Sequence, residues 1–195
     1  MLYNLDPVQF PMGTVGTSVH ALTEVLFSTP KPRASSQLVC LSCNYQESKC
    51  NHNLGHVLYL DASPTMSSVS SWIRNLQRST RMRCPLCDNR ITQSFVYHDL
   101  PEILFIEYPR FDLKIDKKIR YNLHDESRDL YLRGIVYSGQ FHFVSRYISD
   151  NKIWYHDGIT TRDNCIEDGF LDVCTLKDLQ IRQNKKIVLA VYAQE

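Results

Sequence analysis

The chain has 195 residues, a net charge of +1 from 22 Lys and Arg against 21 Asp and Glu, and 43% hydrophobic residues. This length suits one domain with a real core. The charge balance argues against an obligate nucleic-acid coat or a polybasic membrane anchor. No apolar run reaches the ~20 residues of a membrane span, and the N-terminus lacks a basic segment followed by an apolar one, so we expect no signal peptide, no membrane partner and an intracellular location, nuclear or cytoplasmic.

The first half of the chain is predicted to be mixed in structure. Helical spacing of apolar residues predicts a short helix over residues 19–27 and an amphipathic helix over residues 67–78. Residues 31–36 are expected to form an exposed linker and residues 56–60 a short strand. The second helix leads into a basic stretch, residues 74–83, with arginines at positions 74, 78, 81 and 83.

The second half is predicted to be mainly β. Apolar runs and alternation predict strands over residues 92–98, 103–108, 130–137, 141–148, 153–156 and 185–193. Asp150 and Asn151 have the composition of a two-residue hairpin turn between two of these strands. A short helix is predicted over residues 176–179. The pattern as a whole predicts an α+β chain in which an antiparallel sheet dominates the second half.

Four of the seven cysteines form two Cys-x-x-Cys pairs, Cys40 with Cys43 and Cys84 with Cys87. Two such turns supply the tetrahedral set of four thiolates that favours zinc. The pairs are 84 − 43 = 41 positions apart, so further structure must be inserted between them. A redox pair of the thioredoxin type would need a βαβ context, which the pattern lacks. We therefore predict a closed structural zinc site that stabilises the fold.

Three residues near the first pair carry further donor atoms: Cys50, His52 and His56. They could replace one cysteine in a mixed shell or bind nothing. The odd number of cysteines in a chain without a secretory signal argues against a disulfide framework.

A second candidate site consists of His142 and Asp157. His142 begins a predicted strand after a Ser-Gly turn, and Asp157 follows the next predicted strand after the pair Trp154 and Tyr155. Neighbouring strands could bring the Asp157 carboxylate beside the His142 imidazole, where it would fix the tautomer of a general base. On spacing alone, the alternative is a strand histidine with polar surface neighbours.

Together these motifs resemble the ubiquitin-specific protease (USP) superfamily of papain-like cysteine proteases. Residues 138–142 and 154–157 resemble its histidine box, and the two cysteine pairs resemble its zinc fingers. Residues 100–111 resemble a Leu-Pro strand that ends in Arg-Phe, and residues 186–192 resemble the terminal strand. The compact size is most similar to the divergent branch typified by the USP-like SUMO isopeptidase.

The resemblance implies a single USP-like domain over residues 1–195 with a reduced thumb. Residues 1–37 would be a residual thumb helix and linker, residues 38–98 the zinc-finger subdomain, and residues 99–195 the palm. It also implies that His142 is the general base and Asp157 its orienting carboxylate, as members or relics of a catalytic triad.

The departures from the family pattern lie at the chemistry. The family's nucleophile is a cysteine at a helix start, where the helix dipole lowers its pKa, but the first cysteine of this sequence is Cys40. Either Ser18 stands in a degenerate cysteine box, or residues 18–27 are a later thumb helix and the box is missing; the Pro-rich connection to the first cysteine pair favours the second. Gln140 and Phe141 precede His142, where the family has glycine, and Phe141 would obstruct a Gly-Gly tail.

Three hypotheses follow. The first is an inactive USP-like domain, a pseudo-deubiquitinase, that acts as a protein-interaction scaffold in a larger complex and binds ubiquitin, a ubiquitin-like protein or a complex subunit. The second is an active ubiquitin or SUMO isopeptidase whose nucleophilic cysteine lies outside this chain. The third is a zinc-stabilised RNA-binding domain that uses the arginines of residues 74–83.

Overall fold

Antiparallel β-sheet makes up most of the fold, with few helices in the part described. The structure, a computed structural model, describes residues 7–8, 21–23, 25, 28, 30–32, 34–51, 55–57, 67–74, 77–108 and 113–195. In chain order the elements are β1 (Ala34–Val39), β2 (Gln46–Asn51), β3 (Gly55–Val57), α1 (Val69–Arg74), β4 (Gln77–Arg83), β5 (Arg90–Tyr97), β6 (Ile103–Glu107), β7 (Lys118–Leu123), β8 (Glu126–Gly139), β9 (His142–Ser149), β10 (Lys152–His156), β11 (Ile166–Phe170), α2 (Leu176–Gln180), β12 (Ile181–Arg182) and β13 (Lys185–Ala193).

The strands form two sheets. A small sheet has the order β2-β1-β5-β4 and is antiparallel throughout. A large sheet has the order β11-β10-β9-β8-β13-β6-β3, with β7 paired to β8 and β12 paired to β13. Its pairs are antiparallel except that β3 lies parallel to β6 at one edge. The chain between the two hairpins of the small sheet therefore contributes β3 to the large sheet before it returns.

The main core is formed mainly by side chains of the large sheet and of α1. Its members are apolar or tyrosine side chains that alternate along the strands, as expected for a sheet with one buried face. The largest fully buried ones are Tyr137, Tyr155, Tyr192, Leu104, Ile106, Leu113, Ile115, Ile119, Leu130 and Leu132. A separate small core lies in the small sheet and consists of Leu38, Cys40, Cys84 and Ile91.

Strand β8 changes the set of residues that it buries. Leu130 and Leu132 are buried in its first half, but Ile135 and Tyr137 are buried in its second half. The register against β13 shifts at this point, where Arg133 is the extra residue. Such a β-bulge resets the alternation, so both halves of this long strand face the core.

In the part of the chain that the structure describes, three two-residue turns connect strands with both central residues at positive φ. These turns are Gln140 and Phe141 (56° and 58°), Asp150 and Asn151 (49° and 68°), and Gln183 and Asn184 (49° and 61°). Two successive left-handed residues are the mark of a type I′ turn, whose twist matches that of the flanking strands. The predicted hairpin turn at Asp150 and Asn151 is confirmed.

The helices are short. Helix α1 buries Val69, Trp72 and Ile73, and the Ser70 N–H donates to an Asp116 carboxylate oxygen at 2.7 Å. Helix α2 begins with a capping box formed by Thr175 and Asp178 and agrees with the helix predicted over residues 176–179. No helix of the described part is long and apolar enough to cross a lipid bilayer.

Several predicted elements differ from the structure. The helix predicted over residues 67–78 ends at Arg74, and β4 begins at Gln77 because residues 77–83 pair with β5. The linker predicted over residues 31–36 was wrong in its second half, which belongs to β1. Residues 21–23 are helical, but much of the helix predicted over residues 19–27 lies outside the described residues. Besides β1, strands β2, β4, β7, β11 and β12 were not predicted.

Candidate metal centre and histidine–aspartate site

The two Cys-x-x-Cys segments occupy equivalent turns of the small sheet. Cys40 and Cys43 lie between β1 and β2, and Cys84 and Cys87 lie between β4 and β5. The Cys40 N–H donates to the carbonyl five residues later at 2.9 Å, and the Cys84 N–H does the same at 2.8 Å. Because β1 pairs with β5, the two turns lie side by side and their four sulfur atoms face one another.

The sulfur positions fit a tetrahedral metal site. All four Sγ atoms lie within 4.8 Å of one another, with Cys40 and Cys87 at 3.4 Å and Cys43 and Cys84 at 3.5 Å. Zinc–sulfur bonds of about 2.3 Å place the sulfurs of a tetrahedral shell about 3.8 Å apart. A disulfide would need about 2.05 Å. The donor set and spacing therefore suit a zinc ion held by four thiolates.

Nearby N–H groups favour the thiolate form. The Asn89 backbone N–H and then the Asn89 side-chain amide lower the pKa of the Cys87 thiol to about 6, and the side-chain amide lies 3.4 Å from Cys87 Sγ. The Leu86 N–H lies 3.4 Å from Cys84 Sγ. Such donors to sulfur are the outer interactions that orient metal-binding thiolates.

Of the three further ligand candidates, Cys50 is not a member of this cluster. Cys50 is exposed on β2 and pairs with Ser35 of β1. His56 lies on β3, which belongs to the large sheet. His52 lies outside the described residues. A mixed Cys/His shell therefore has no support from the cluster, whose members are the four cysteines.

His142 and Asp157 lie together at one end of the large sheet. His142 is the first residue of β9, and Asp157 directly follows β10, its neighbouring strand. His142 Nε2 is 2.7 Å from Asp157 Oδ1. The aspartate side chain is 5% exposed and the histidine 26%, so the carboxylate is enclosed while the imidazole retains access to solvent.

The loop after β10 fixes the aspartate. The Ile159 N–H donates to Asp157 Oδ1 at 2.9 Å, and Thr160 N approaches the same oxygen at 3.4 Å. The Ile159 N–H, with the other donors including His142, holds the pKa of Asp157 well below its usual range. Thr161 bonds back to the Asp157 backbone at 2.8–3.0 Å. The carboxylate is thus ionised and held in one orientation.

This geometry determines which ring nitrogen of His142 can act as a base. An ionised Asp157 accepts a hydrogen bond, so Nε2 carries the proton and donates it. Nδ1 then has the free lone pair and can accept a proton from a neighbouring acid. In the described part of the chain, Asp157 is the hydrogen-bond partner of His142, and no cysteine is within hydrogen-bond distance of it. Ser18 lies outside the described residues.

A polar network behind Asp157 was not predicted. The Tyr155 hydroxyl lies 2.8 Å from Gln183 Oε1 and 3.3 Å from Asp157 Oδ2. Because side chains alternate along a strand, Ile153, Tyr155 and Asp157 had to share one face. That alternation was the available signal for Tyr155, whereas Gln183 comes from a turn that is distant in sequence.

Next to this network is a nearly buried ion cluster. Arg146 and Arg182 both contact Asp168, the Arg146 pair at 2.6 Å. Arg146 also donates to the Asp178 carbonyl at 2.7 Å, and the Arg182 guanidinium lies over the Tyr155 ring at 5.0 Å. The cluster joins β9, β11, β12 and α2. Sequence spacing held no sign of it, because its members come from separate elements.

No protein-family model and no curated protein matches the sequence. Solved structures of similar shape exist at low sequence identity. A chain of the SAGA DUB module Ubp8/Sgf11/Sus1/Sgf73 bound to monoubiquitin, with a cysteine-to-alanine substitution in Ubp8, aligns with a TM-score of 0.53 and 12% identity over 96% of this chain. The same module bound to ubiquitin aldehyde aligns with a TM-score of 0.52 and 12% identity over 86% of this chain.

The chain spans 44% and 42% of the length of these two chains. At this identity the likeness concerns the fold alone. The match and the four-cysteine cluster of the small sheet lead to one conclusion: this chain has a USP-like fold, with a region that resembles the zinc fingers of such proteins.

Proposed function

We propose that this chain is a USP-related, catalytically inactive domain that acts as a protein-interaction module within a larger complex. The small sheet would be the zinc-finger subdomain, and the large sheet from residue 99 onward would be the palm, with residues 1–37 as the residual thumb and linker. The observation that carries the proposal is the ordered His142–Asp157 pair without a thiol beside it in the described part of the chain.

The described cysteines are engaged or placed elsewhere. Four of them form the sulfur cluster at the end of the small sheet, which we propose holds structural zinc. Cys50 is exposed on β2, Cys165 is exposed just before β11, and Cys174 packs against the main core. Without a nucleophile the base at His142 Nδ1 has no thiol to activate, which supports a role in binding.

Analogy with the neighbours supports the proposed class of partner. The modules of similar fold are bound to monoubiquitin or ubiquitin aldehyde and contain several subunits. We propose that this chain binds ubiquitin, a ubiquitin-like protein or a subunit of its own complex.

Reaction with C-terminal electrophilic probes tests inactivity. The purified chain is incubated with ubiquitin and SUMO that carry a C-terminal propargyl group, and intact mass is recorded. We expect no adduct. A covalent adduct that is lost in His142→Ala but kept in His156→Ala would show a working thiol and overturn the proposal. His156 is the matched control because it bonds to the Arg162 carbonyl and not to Asp157.

The intact geometry of His142 and Asp157 favours a second candidate, an isopeptidase whose nucleophilic cysteine lies outside this chain, on a further segment of the same protein or on a partner subunit. Native complexes purified through a tag on this chain would then react with the same probes at a cysteine outside this chain. The labelling should require His142 and tolerate His156→Ala. No labelling of any subunit would remove this candidate and leave the inactive module.

A further inference from the structure

An open cavity of about 350 Å³ lies between helix α1 and the β7–β8 hairpin, near the start of β8, whereas the other end of β8 pairs with His142. It is lined by Ser70, Arg74, Lys118, Arg120 and Asp129. A smaller cavity of about 240 Å³ adjoins it, and the two share Arg74 and Arg120. Three cations and one carboxylate therefore meet at this surface, and two of the cations face both openings.

The single carboxylate is already divided between two partners. Arg120 donates Nε and Nη2 to the two oxygens of Asp129 at 2.6 and 2.8 Å, and Lys118 Nζ lies 2.8 Å from Asp129 Oδ2. Arg120 Nη1 makes no hydrogen bond to Asp129. Among the described contacts, the exposed Arg74 guanidinium and the Ser70 hydroxyl also make no hydrogen bond. Among the lining groups donors thus exceed acceptors, and the adjoining Asp116 carboxylate already accepts from the Ser70 backbone N–H.

We propose that this cationic site, Ser70, Arg74, Lys118 and Arg120, binds carboxylates of an acidic polypeptide segment of a partner protein. An incoming carboxylate can accept from Arg74 and from the free nitrogen of Arg120, with the Ser70 hydroxyl as a third donor. Guanidinium groups present planar paired donors that match a carboxylate. The proposal does not depend on the USP-related function, because it concerns another part of the surface.

The aromatic group beside the site argues for a protein partner over a nucleic acid. Single-stranded nucleic acids gain affinity when bases stack on open aromatic rings. Tyr131 is the aromatic residue next to these cations, and its ring is contacted by Lys118 at 5.0 Å and Arg133 at 5.9 Å. Tyr121, which lines the smaller cavity, is 3% exposed. The Tyr131 ring already carries two cations and the Tyr121 ring is buried, which favours a polypeptide over stacked bases.

Asp129 then acts as an internal competitor for the incoming carboxylate. It is the acidic residue among the lining groups, and it holds Lys118 and Arg120 in place. Replacement by asparagine keeps the shape but removes the negative charge. If the site binds acidic segments, Asp129→Asn must strengthen the binding, whereas a purely structural ion cluster would show no such gain.

Fluorescence anisotropy with defined probes tests the site. The probes are a labelled peptide of alternating Glu and Ser, the same peptide with Gln for Glu, and a single-stranded RNA of equal length. We expect the full chain to bind the Glu peptide in preference to both others, with affinity that falls as salt is raised. Equal or tighter binding of the RNA would assign the site to nucleic acid, and no binding of the Glu peptide would end the proposal.

Variants that change the charge of single residues test where the peptide binds. Arg74→Glu should weaken the binding about tenfold, and Asp129→Asn should tighten it severalfold. Arg90→Glu makes the same change in net charge at an exposed position of the small sheet. It should alter the affinity for the peptide less than about twofold. Equal losses in Arg74→Glu and Arg90→Glu, or a loss in Asp129→Asn, would refute the site. If Arg74→Glu folds poorly, Lys118→Gln takes its place, because it removes one positive charge from the same site. It should also weaken peptide binding.

Discussion

Phe141 holds a position that aromatic residues rarely occupy. It has φ = 58° and a fully exposed side chain, so its unfavourable left-handed backbone is not offset by packing within the described part of the chain. Gln140 before it has φ = 56°. Left-handed backbone costs L-residues other than Gly, Asn and Asp about 1–2 kcal/mol. The turn that delivers His142 to its site is therefore built from poorly suited residues.

Replacement of both turn residues should stabilise the protein. Gln140→Asn combined with Phe141→Gly gives the Asn-Gly pair that type I′ turns prefer. We expect the free energy of unfolding to rise by about 1 kcal/mol, which is less than the full backbone cost because glycine adds unfolded-state entropy. Urea denaturation measures the change. Lower stability would show that the Phe141 side chain makes contacts that matter.

Asp157 makes stability depend on acid. Its pKa is lowered in the folded protein by the Ile159 N–H and its other donors, so the folded state favours the ionised form. The stabilisation is therefore complete above the ordinary aspartate pKa of about 3.9 and declines as pH falls below it toward the lowered value.

Asp157→Asn should flatten this acid response. Between about pH 5 and about pH 3, the variant should lose less unfolding free energy than the wild type, since one such carboxylate is gone. Asp163→Asn, which changes an exposed carboxylate of the same loop, is the matched control and should follow the wild type. If Asp157→Asn shows the same acid slope as the wild type, Asp157 is not held as described.

At the scale of elements, the contact of Arg146 and Arg182 with Asp168 ties β9, β11 and β12 together. Asp168 and Arg146 side chains are 10% and 6% exposed. A charge in such a place is tolerated only while it is paired, because desolvation otherwise costs several kcal/mol. Glu167, the preceding residue of β11, forms an exposed pair with Lys152 and is 45% exposed.

Asp168→Asn and Glu167→Gln should therefore differ strongly. The first leaves two arginines without a counter-charge and should cost about 3–5 kcal/mol of unfolding free energy. The second removes a surface pair and should cost less than about 1 kcal/mol. Urea or guanidinium titration of both variants gives the comparison. Similar losses in the two would mean that solvent reaches the Asp168 cluster.

The elements show where sequence patterns suffice. Strand β13 was predicted with its exact bounds, since a continuous apolar run marks a buried central strand. Strand β2 could not be predicted, because Gln46–Asn51 has no apolar alternation and depends on pairing with β1. The helix predicted over residues 67–78 exists but ends at Arg74, because residues 77–83 pair with β5 as a strand, a tertiary effect that overrides local helix propensity.

At the scale of the molecule, some residues of the candidate sites could be predicted from the sequence and others could not. The four cysteines follow from two local motifs, and the pairing of His142 with Asp157 follows from hairpin register. The supports of that pair, Gln183 and the Asp168 cluster, come from separate elements and leave no local trace. Of the cationic site, the sequence indicated only Arg74, as part of the basic stretch of residues 74–83. Lys118 and Arg120 lie on a strand that was not predicted.

Loss of the proposed zinc ion should affect the two sheets unequally. The small sheet has a minor core that includes Cys40 and Cys84, so Cys84→Ser should abolish zinc binding and unfold this sheet first, because structural zinc supplies folding free energy. Native mass spectrometry and amide exchange measure both effects. We expect Leu38 and Ile91 to lose protection before Leu132 does.

Cys50→Ser is the matched control, because Cys50 lies in the same sheet but outside the cluster. It should keep the metal and the protection pattern. A Cys84→Ser chain that still binds one zinc ion and melts as the wild type does would rule out the four-cysteine shell.

The separation of the two cysteine pairs also has a consequence for synthesis. Cys43, the second member of the first pair, leaves the ribosome 84 − 43 = 41 residues before Cys84, and translation at about 5–20 residues per second makes that delay about 2–8 s. During this interval the nascent chain presents a lone dithiol with no second pair to complete a metal shell. We therefore expect the yield of correctly folded protein to depend on reducing conditions and zinc supply. These conditions should matter more during translation than after the chain is released.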